Sequence, residues 1–150
     1  MSQKGVIEPV RKEVEVGCEP ARAFQIFTDE MESWWPLATH SVGQENAEAC
    51  YFEGHEGGRI FETHQDGSVQ LWGTVSVWNP PRSVVFSWHP GRDISTAQEV
   101  EFRFVACEGG TRVELEHRGW ETLGDDAEKT RAGYEQGWAP VLERYVKGCS

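Results

Sequence analysis

The fold is decided by residues 125–147, which read DDAEKTRAGYEQGWAPVLERYVK. Large apolar side chains recur at a helical spacing in this stretch and form a single stripe on a 3.6-residue period: Tyr134, Trp138, Val141, Leu142 and Tyr145. Asp125, with Glu128 three residues later, is expected to cap the start of the helix, and Gly148 is expected to stop it. The pattern therefore predicts one long amphipathic helix near the C-terminus.

Three residues inside this helix are unfavourable for helix formation. Gly133 and Gly137 lower helix propensity, and Pro140 removes the backbone hydrogen bond to Gln136. We expect a bend between Gly137 and Pro140. We also expect the helix either to pack very closely against a sheet or to cover a hollow.

Working back from this helix, the first half of the chain begins with a strand. Charged and apolar residues alternate over residues 10–16, which predicts a strand with one wet face. Pro20 then suits the first turn of a short helix, and a second short helical piece covers residues 29–35. Because Trp34 and Trp35 are adjacent, we do not expect both to point into the same core.

Six further runs, separated by turn residues and without helices between them, predict an antiparallel meander. They cover residues 49–53, 59–64, 68–78, 83–88, 97–106 and 111–118. In the run 68–78 the alternation is ambiguous, and we expect the row containing Val69, Leu71, Gly73, Val75 and Val77 to face inward. The prediction is an α+β fold: a bent antiparallel sheet of about seven strands, two short helices after the first strand, and the long helix on the dry face.

Length and charge limit the classes of function. The 150 residues favour one domain, residues 1–150, with residues 1–9 as a flexible lead-in. A net charge of −11 argues against nucleic acid and anionic membrane surfaces as partners. Since there is neither a signal-peptide core nor an apolar run near the ~20 residues of a membrane span, we expect a cytoplasmic protein without membrane insertion.

The cysteines and sequence motifs give no indication of a metal, a cofactor or covalent catalysis. Cys18, Cys50, Cys107 and Cys149 form no C-x-x-C pair, so we expect free thiols and neither a metal site nor a cofactor. The chain has no nucleophile elbow, Walker loop, dinucleotide fingerprint or His-Glu-x-x-His. These observations favour a binding protein over an enzyme.

Two titratable residues are candidates for chemistry in a pocket. His117 alone among the histidines falls on the dry side of its strand, where it would be a polar pocket group, a general base, or a histidine satisfied by a neighbouring backbone group or carboxylate. Glu62 would orient a ligand or act as an acid or base with a raised pKa. The alternative for Glu62 is a strand-surface position, paired with Arg59.

Aromatic residues are the strongest indication of a binding site, since the chain has seven tryptophans. An apolar pocket with a few polar groups is the usual form of a small-molecule site. The predicted ligand-binding residues lie on elements directed towards the space between sheet and helix: Trp34, Trp35, Phe61, Trp72, Trp88, His117, Trp120, Tyr134 and Trp138. The alternative is that these rings fill the interior completely.

The chain resembles the helix-grip superfamily, also called START-like, Bet v 1-like or SRPBCC, and is similar within it to the branch of the activator of heat-shock protein 90 ATPase. The resemblance is carried by residues 14–27, 34–36, 57–62, 66–67, 72–75, 80–88, 110–115, 117–120 and 134–142. It implies a strongly bent sheet that grips the C-terminal helix, with a cavity between them for a small apolar molecule such as a lipid, a hormone or a polyketide.

Three functions follow from the resemblance and the residues together. The leading hypothesis is a binding protein for a small hydrophobic or aromatic ligand. The second is a cyclase-like or hydrolase-like enzyme in which His117 and Glu62 transfer protons. The third is an interaction module that stimulates a chaperone ATPase, so a chaperone partner and a homodimer both stay open.

Overall fold

The computed structural model describes residues 7–149, which form one curled antiparallel sheet and a long C-terminal helix. The strands are β1 (Val10–Val16), β2 (Ala47–Phe52), β3 (Arg59–His64), β4 (Val69–Asn79), β5 (Ser83–Trp88), β6 (Gln98–Cys107) and β7 (Gly110–Arg118), and the α-helices are α1 (Pro20–Thr28), α2 (Met31–Trp34) and α3 (Ala127–Gly148). The strand order is β1-β7-β6-β5-β4-β3-β2. The predicted α+β helix-grip fold is thus confirmed. No helix within the described range is long and apolar enough to cross a membrane.

Helix α3 lies across the dry face of the sheet through the predicted apolar stripe. Trp138, Val141, Leu142 and Tyr145 are buried, whereas Tyr134 is partly exposed. At the C-terminal end, the Tyr145 hydroxyl donates a 2.7 Å hydrogen bond to the carbonyl of Ala23 in α1. Burial of four large side chains stabilises this contact by several kcal/mol, at roughly 1.5–3 kcal/mol for each fully buried side chain.

The start of α3 differs from the predicted capping box. The helix begins at Ala127, and its N-cap is Asp126, whose side chain makes no capping hydrogen bond. Residues 120–126 form 3-10 turns that are interrupted at Gly124, where φ is 60°. The expectation that Asp125 and Glu128 cap the helix is therefore wrong, because the N-cap lies one residue later, at Asp126, and no side chain caps it. At the other end the helix includes Gly148, and the C-cap is Cys149.

Burial alternates residue by residue along β6 and β7, as the sequence pattern predicts. The outer face of these strands carries arginines among glutamates. Arg118, for example, lies 2.8 Å from Glu99 and 2.8 Å from Glu101. Many of the chain's charged side chains therefore lie on this solvent-exposed face of the sheet.

Strand β4 is irregular, and its inward row differs from the predicted one. The register shifts where β4 pairs with β3 and again where it pairs with β5. Trp72 and Val75 are buried as a result, whereas Val69 is 53% exposed and Val77 is 44% exposed. The expectation of an inward row is confirmed at Gly73 and Val75 and is wrong at Val69 and Val77, because each bulge reverses which parity faces the core.

Trp34 and Trp35 both enter the core, contrary to expectation. Their ring centroids are 5.6 Å apart, and both side chains are buried. The chain leaves the helical conformation between them, since α2 ends at Trp34 and Trp35 has an extended backbone. This change of direction lets two neighbouring indoles point the same way.

Candidate functional site

A cleft of about 720 Å³ opens between the N-terminal half of α3 and two loops, residues 36–43 and 89–92. Its aromatic lining consists of Trp35, Trp88, Tyr134 and Trp138. Ligand sites for drug-sized molecules typically have volumes of roughly 300–1,000 Å³. The cleft is therefore large enough for a ligand of two or three fused rings.

Three indoles pack against one another at the wall of the cleft, where they are 2–6% exposed. The ring centroids of Trp35, Trp88 and Trp138 lie 6.0–6.3 Å from one another. The indole N–H of Trp35 donates to the carbonyl of His40 at 2.8 Å. The N–H groups of Trp88 and Trp138 are bonded to Tyr134 and His117. Because all three N–H groups have partners, the surface that remains for a ligand is aromatic.

Two glycines of α3 leave open space on the helix side of the cleft. Gly133 and Gly137 are one helical turn apart, and both line the cleft. A Cβ atom built on either would meet no heavy atom within 4 Å. The sequence left two explanations open for these glycines: close packing of the helix against the sheet, or a helix that covers a hollow. At Gly133 and Gly137 the helix covers a hollow, and the explanation by close packing is wrong. Pro140 is accommodated inside the helix, and the bend near it stays a prediction.

Tyr134 is the polar group of the aromatic lining. Its hydroxyl oxygen accepts a hydrogen bond from the Trp88 indole N–H at 3.2 Å, so the phenol proton is available for a ligand. Burial raises the pKa of this phenol. Tyr134 is therefore protonated at neutral pH and can act as a hydrogen-bond donor.

His117 lies behind the cleft and does not line it. Its Nδ1 accepts a hydrogen bond from the Trp138 indole N–H at 3.0 Å, and its Nε2 is 3.1 Å from Oε1 of Gln98. These partners assign the neutral tautomer with the proton on Nε2. Burial lowers the pKa from 6.5 to about 3. His117 is a satisfied histidine, bonded to side chains, that fixes the orientation of Trp138.

This lowered pKa makes stability depend on pH. The unfolded chain binds a proton at His117 near pH 6.5 and the folded chain only near pH 3, so the free energy of unfolding falls as pH drops through this window. The expected slope from this one group is up to about 1.4 kcal/mol per pH unit. Thermal unfolding between about pH 6.5 and pH 4.5 measures it. His117→Gln should flatten the dependence, whereas the exposed control His55→Gln should not; equal slopes in all three proteins would contradict the buried neutral histidine.

Glu62 is fully buried and holds the loop that forms one wall of the cleft. Its two oxygens accept hydrogen bonds from the backbone N–H groups of Val42 (2.7 Å) and Gly43 (2.8 Å), and from the side chains of His64 (2.6 Å) and Trp72 (2.5 Å). Burial alone would raise the pKa of this carboxyl, but the four hydrogen bonds outweigh it and hold the pKa below its ordinary value.

The predicted raised pKa of Glu62 is therefore wrong, and so is the alternative of a surface glutamate paired with Arg59. Arg59 instead pairs with Glu53 at 3.0 Å. Glu62 does not line the cleft, but Val42, which it holds, does. The role supported by the geometry is the positioning of residues 36–43.

The remaining predicted site residues divide into core and surface. Trp34, Trp72 and Trp120 are buried outside the cleft lining. Phe61 lies on the outer face of the sheet, where its ring centroid is 5.3 Å from that of Tyr51. The buried neighbours of Phe61 on either side, Ile60 and Glu62, are the signal that assigns it to the outer face.

Sequence reasoning missed the polar residues at the mouth of the cleft. Arg92, Asp126, Lys129 and Thr130 all line it. They lie in a turn and in the first turn of a helix, where no hydrophobic period marks which way a side chain faces. Within residues 7–149, no three His, Cys, Asp or Glu side chains come together as metal ligands would.

Solved structures share this fold over nearly the whole chain. Among curated proteins, none matches the sequence. An anthrahydroquino-γ-pyrone synthase, solved as a complex, is 30% identical, with 95% of this chain and 97% of that chain covered and a TM-score of 0.66. An Aha1 dimer from Colwellia psychrerythraea is 18% identical (95% and 96% covered, TM-score 0.68). A Bacillus halodurans protein is 17% identical (97% and 99% covered, TM-score 0.69).

The family comparison agrees with the resemblance seen in the sequence. The family model described as "Activator of Hsp90 ATPase homolog 1-like protein" matches residues 18–147. This range includes α1, α2, all of α3 except Gly148, all strands but β1, and the whole cleft lining. The chain therefore belongs to the activator of Hsp90 ATPase homolog 1-like family.

Proposed function

We propose that the protein binds a small planar aromatic molecule in the cleft between α3 and the loops 36–43 and 89–92. The observation that carries this proposal is an open volume of about 720 Å³ whose wall includes the packed indoles of Trp35, Trp88 and Trp138 and the ring of Tyr134. Aromatic rings bind other rings through stacked and edge-to-face contacts worth about 0.5–1.5 kcal/mol each beyond their buried area. A ligand of two or three fused rings would contact several of these indoles at once.

Local rigidity and family membership support the same function. The partners of the indole N–H groups fix the ring orientations, and Glu62 fixes the adjacent loop, so little ordering is required when a ligand enters. The family fold supports a ligand-binding or cyclase-like role in general. Tyr134 adds one directional hydrogen-bond donor to an otherwise apolar surface.

Filling the hollow at Gly137 should abolish binding without harming the fold. In Gly137→Leu the side chain enters open space, and loss of an interior helix glycine is expected to stabilise the helix by up to about 1 kcal/mol. Intrinsic tryptophan fluorescence, titrated with planar compounds such as anthraquinones and flavones, measures binding. We expect at least a tenfold loss of affinity, on the order of 1.4 kcal/mol.

The matched control is Ala132→Leu, an exposed position on the same helix outside the cleft lining. It should bind like the wild type. Equal binding by Gly137→Leu and Ala132→Leu would place any ligand elsewhere, and failure of every planar compound to bind the wild type would refute the proposed function.

A ring-closing enzyme is the second candidate, favoured by the 30% identity to a γ-pyrone synthase. His117 and Glu62 do not reach the cleft, so the acid in this candidate is the Tyr134 phenol. In γ-pyrone formation from an ortho-hydroxyaryl 1,3-diketone, the aryl oxygen attacks the distal carbonyl, a C–O bond forms, and one water leaves. The phenol would donate a proton to that carbonyl oxygen.

Product formation from such a diketone separates the two candidates. An enzyme of this kind should release the γ-pyrone faster than the uncatalysed reaction, and Tyr134→Phe should slow turnover while it retains binding. If the protein binds the diketone but does not accelerate formation of the γ-pyrone, it is a binding protein and not an enzyme of this kind.

A further inference from the structure

Arg92 and Lys129 approach the mouth of the cleft from opposite walls. Arg92 belongs to the loop 89–92, and Lys129 belongs to the first turn of α3. The backbone near Arg92 is held in place, since the Nδ1–H of His89 donates to the Arg92 carbonyl at 3.2 Å. A ligand lying on the indoles would therefore have a cation on either side of its outer end.

Neither cation is neutralised by an ion pair within residues 7–149. Among the thirteen lysines and arginines that the structure describes, eight form ion pairs with carboxylates: Arg11, Lys12, Arg22, Arg59, Arg103, Arg112, Arg118 and Arg131. Arg92 and Lys129 are not among these eight. In a chain with 25 acidic residues against 14 basic ones, two such cations at one opening are unusual.

The charged side chains that line the cleft carry a net positive charge, in contrast to the chain as a whole. Among the described residues that line the cleft, Asp126 is the one carboxylate, against two cations. Lys129 also lies at the positive end of the α3 dipole, which adds to the positive potential there. The charge of Arg92 reaches into the cleft, where it opposes the burial-driven rise in the pKa of Tyr134. The net charge of the whole chain is −11. The mouth of the cleft would therefore attract an anionic ligand locally, although the protein as a whole is acidic.

We propose that the ligand is an aromatic acid, whose rings lie on the indoles of the cleft and whose carboxylate or phenolate lies between Arg92 and Lys129. This inference rests on the proposed binding function and adds the chemical class of the ligand. The guanidinium of Arg92 suits a bidentate contact with a carboxylate, and Lys129 supplies a second, flexible charge. Asp126 opposes the anion and limits how tightly it is held.

A pair of nearly isosteric probes tests the charge separately from the rings. Anthraquinone-2-carboxylate and anthraquinone-2-carboxamide have the same ring system and differ in charge. The wild type should bind the acid more tightly by about tenfold at low salt, and the difference should shrink as salt is added. Asp126→Asn should tighten binding of the acid and leave that of the amide unchanged.

Removal of the two cations should affect one probe only. Arg92→Gln combined with Lys129→Gln should lower the affinity for the acid probe about tenfold and leave the affinity for the amide probe unchanged. The matched control is Arg82→Gln combined with Lys147→Gln, which changes the net charge equally, removes two cations outside the cleft lining, and should change neither affinity.

The outcomes distinguish this inference from the proposed function. If the wild type binds acid and amide equally and Gly137→Leu loses both, the cleft binds aromatic molecules but the acid is not selected, and this inference is wrong. The inference is also wrong if the control double variant weakens binding of the acid as much as the cleft variant does. If the wild type binds neither probe, both the inference and the binding function fail.

Discussion

Glu62→Ala should lower the free energy of unfolding by about 3–5 kcal/mol, the range for removal of one partner from a buried charged network. The substitution leaves four donors without their acceptor: the buried Trp72 indole N–H, and the partly buried His64 side chain and backbone N–H groups of Val42 and Gly43. A buried donor left unsatisfied costs about 1–3 kcal/mol, and water that reaches the three partly buried donors recovers part of their loss. Chemical denaturation of the purified protein measures the change.

Glu62→Gln separates charge and hydrogen bonding from side-chain volume. The amide keeps the size but turns an N–H₂ group towards two of the donors, so we expect about 2–4 kcal/mol of destabilisation. The matched control is Glu48→Gln, an exposed glutamate on the neighbouring strand β2, which should have little effect. Amide hydrogen exchange at Val42 and Gly43 should accelerate in both Glu62 variants. Unchanged protection at these amides would contradict the role of Glu62 in holding the loop.

The Glu62 contribution also has a defined pH dependence. Since the folded pKa lies below its ordinary value, the stability it provides is present above the unfolded pKa and is lost as pH falls through the folded pKa. The Glu62 and His117 contributions therefore both decline towards acid pH.

Trp138→Ala should destabilise the protein by about 3–5 kcal/mol, the usual range for truncation of a large buried ring. The Trp138 ring lies 5.8 Å from Phe102 of the sheet and 6.0 Å from Trp88, so it is a principal contact between α3 and the sheet. The substitution also leaves Nδ1 of His117 without its donor. Unfolding monitored by circular dichroism measures the loss.

Two variants show which part of Trp138 matters. Trp138→Phe keeps most of the ring contact and removes the N–H donor, and we expect about 1–2 kcal/mol of destabilisation. Tyr51→Ala truncates a 40% exposed ring on the outer face of the sheet. It should lower the free energy of unfolding much less than Trp138→Ala does. If Trp138→Ala unfolded at the wild-type midpoint, α3 would not be gripped as described.

The regular parts of the fold follow from local patterns in the sequence. Alternation over β6 and β7 and the helical stripe of α3 assigned both the elements and their buried faces. Prediction failed where the backbone departs from a fixed period. The bulges in β4 placed Trp72 inside, and the extended conformation of Trp35 placed it beside Trp34.

The site was less predictable than the fold because its contacts join distant segments. Aromatic residues indicated a cleft, and Trp35, Trp88, Tyr134 and Trp138 do line it. The sequence places Glu62 on a strand, but it does not indicate that the loop containing Val42, 20 residues away, returns to bind it. Arg92 and Lys129 are distant in the sequence, and only the folded chain brings both to the lining of one cleft.

The most direct test of a ligand site in the cleft is a titration followed by NMR at the seven tryptophan indole N–H signals. With anthraquinone-2-carboxylate, the signals of Trp35, Trp88 and Trp138 should shift together and saturate, while that of Trp78, which packs against Phe24 away from the cleft lining, should not move. Shifts centred on Trp78, or no shift in any indole signal at saturating probe, would contradict a ligand site between α3 and its neighbouring loops.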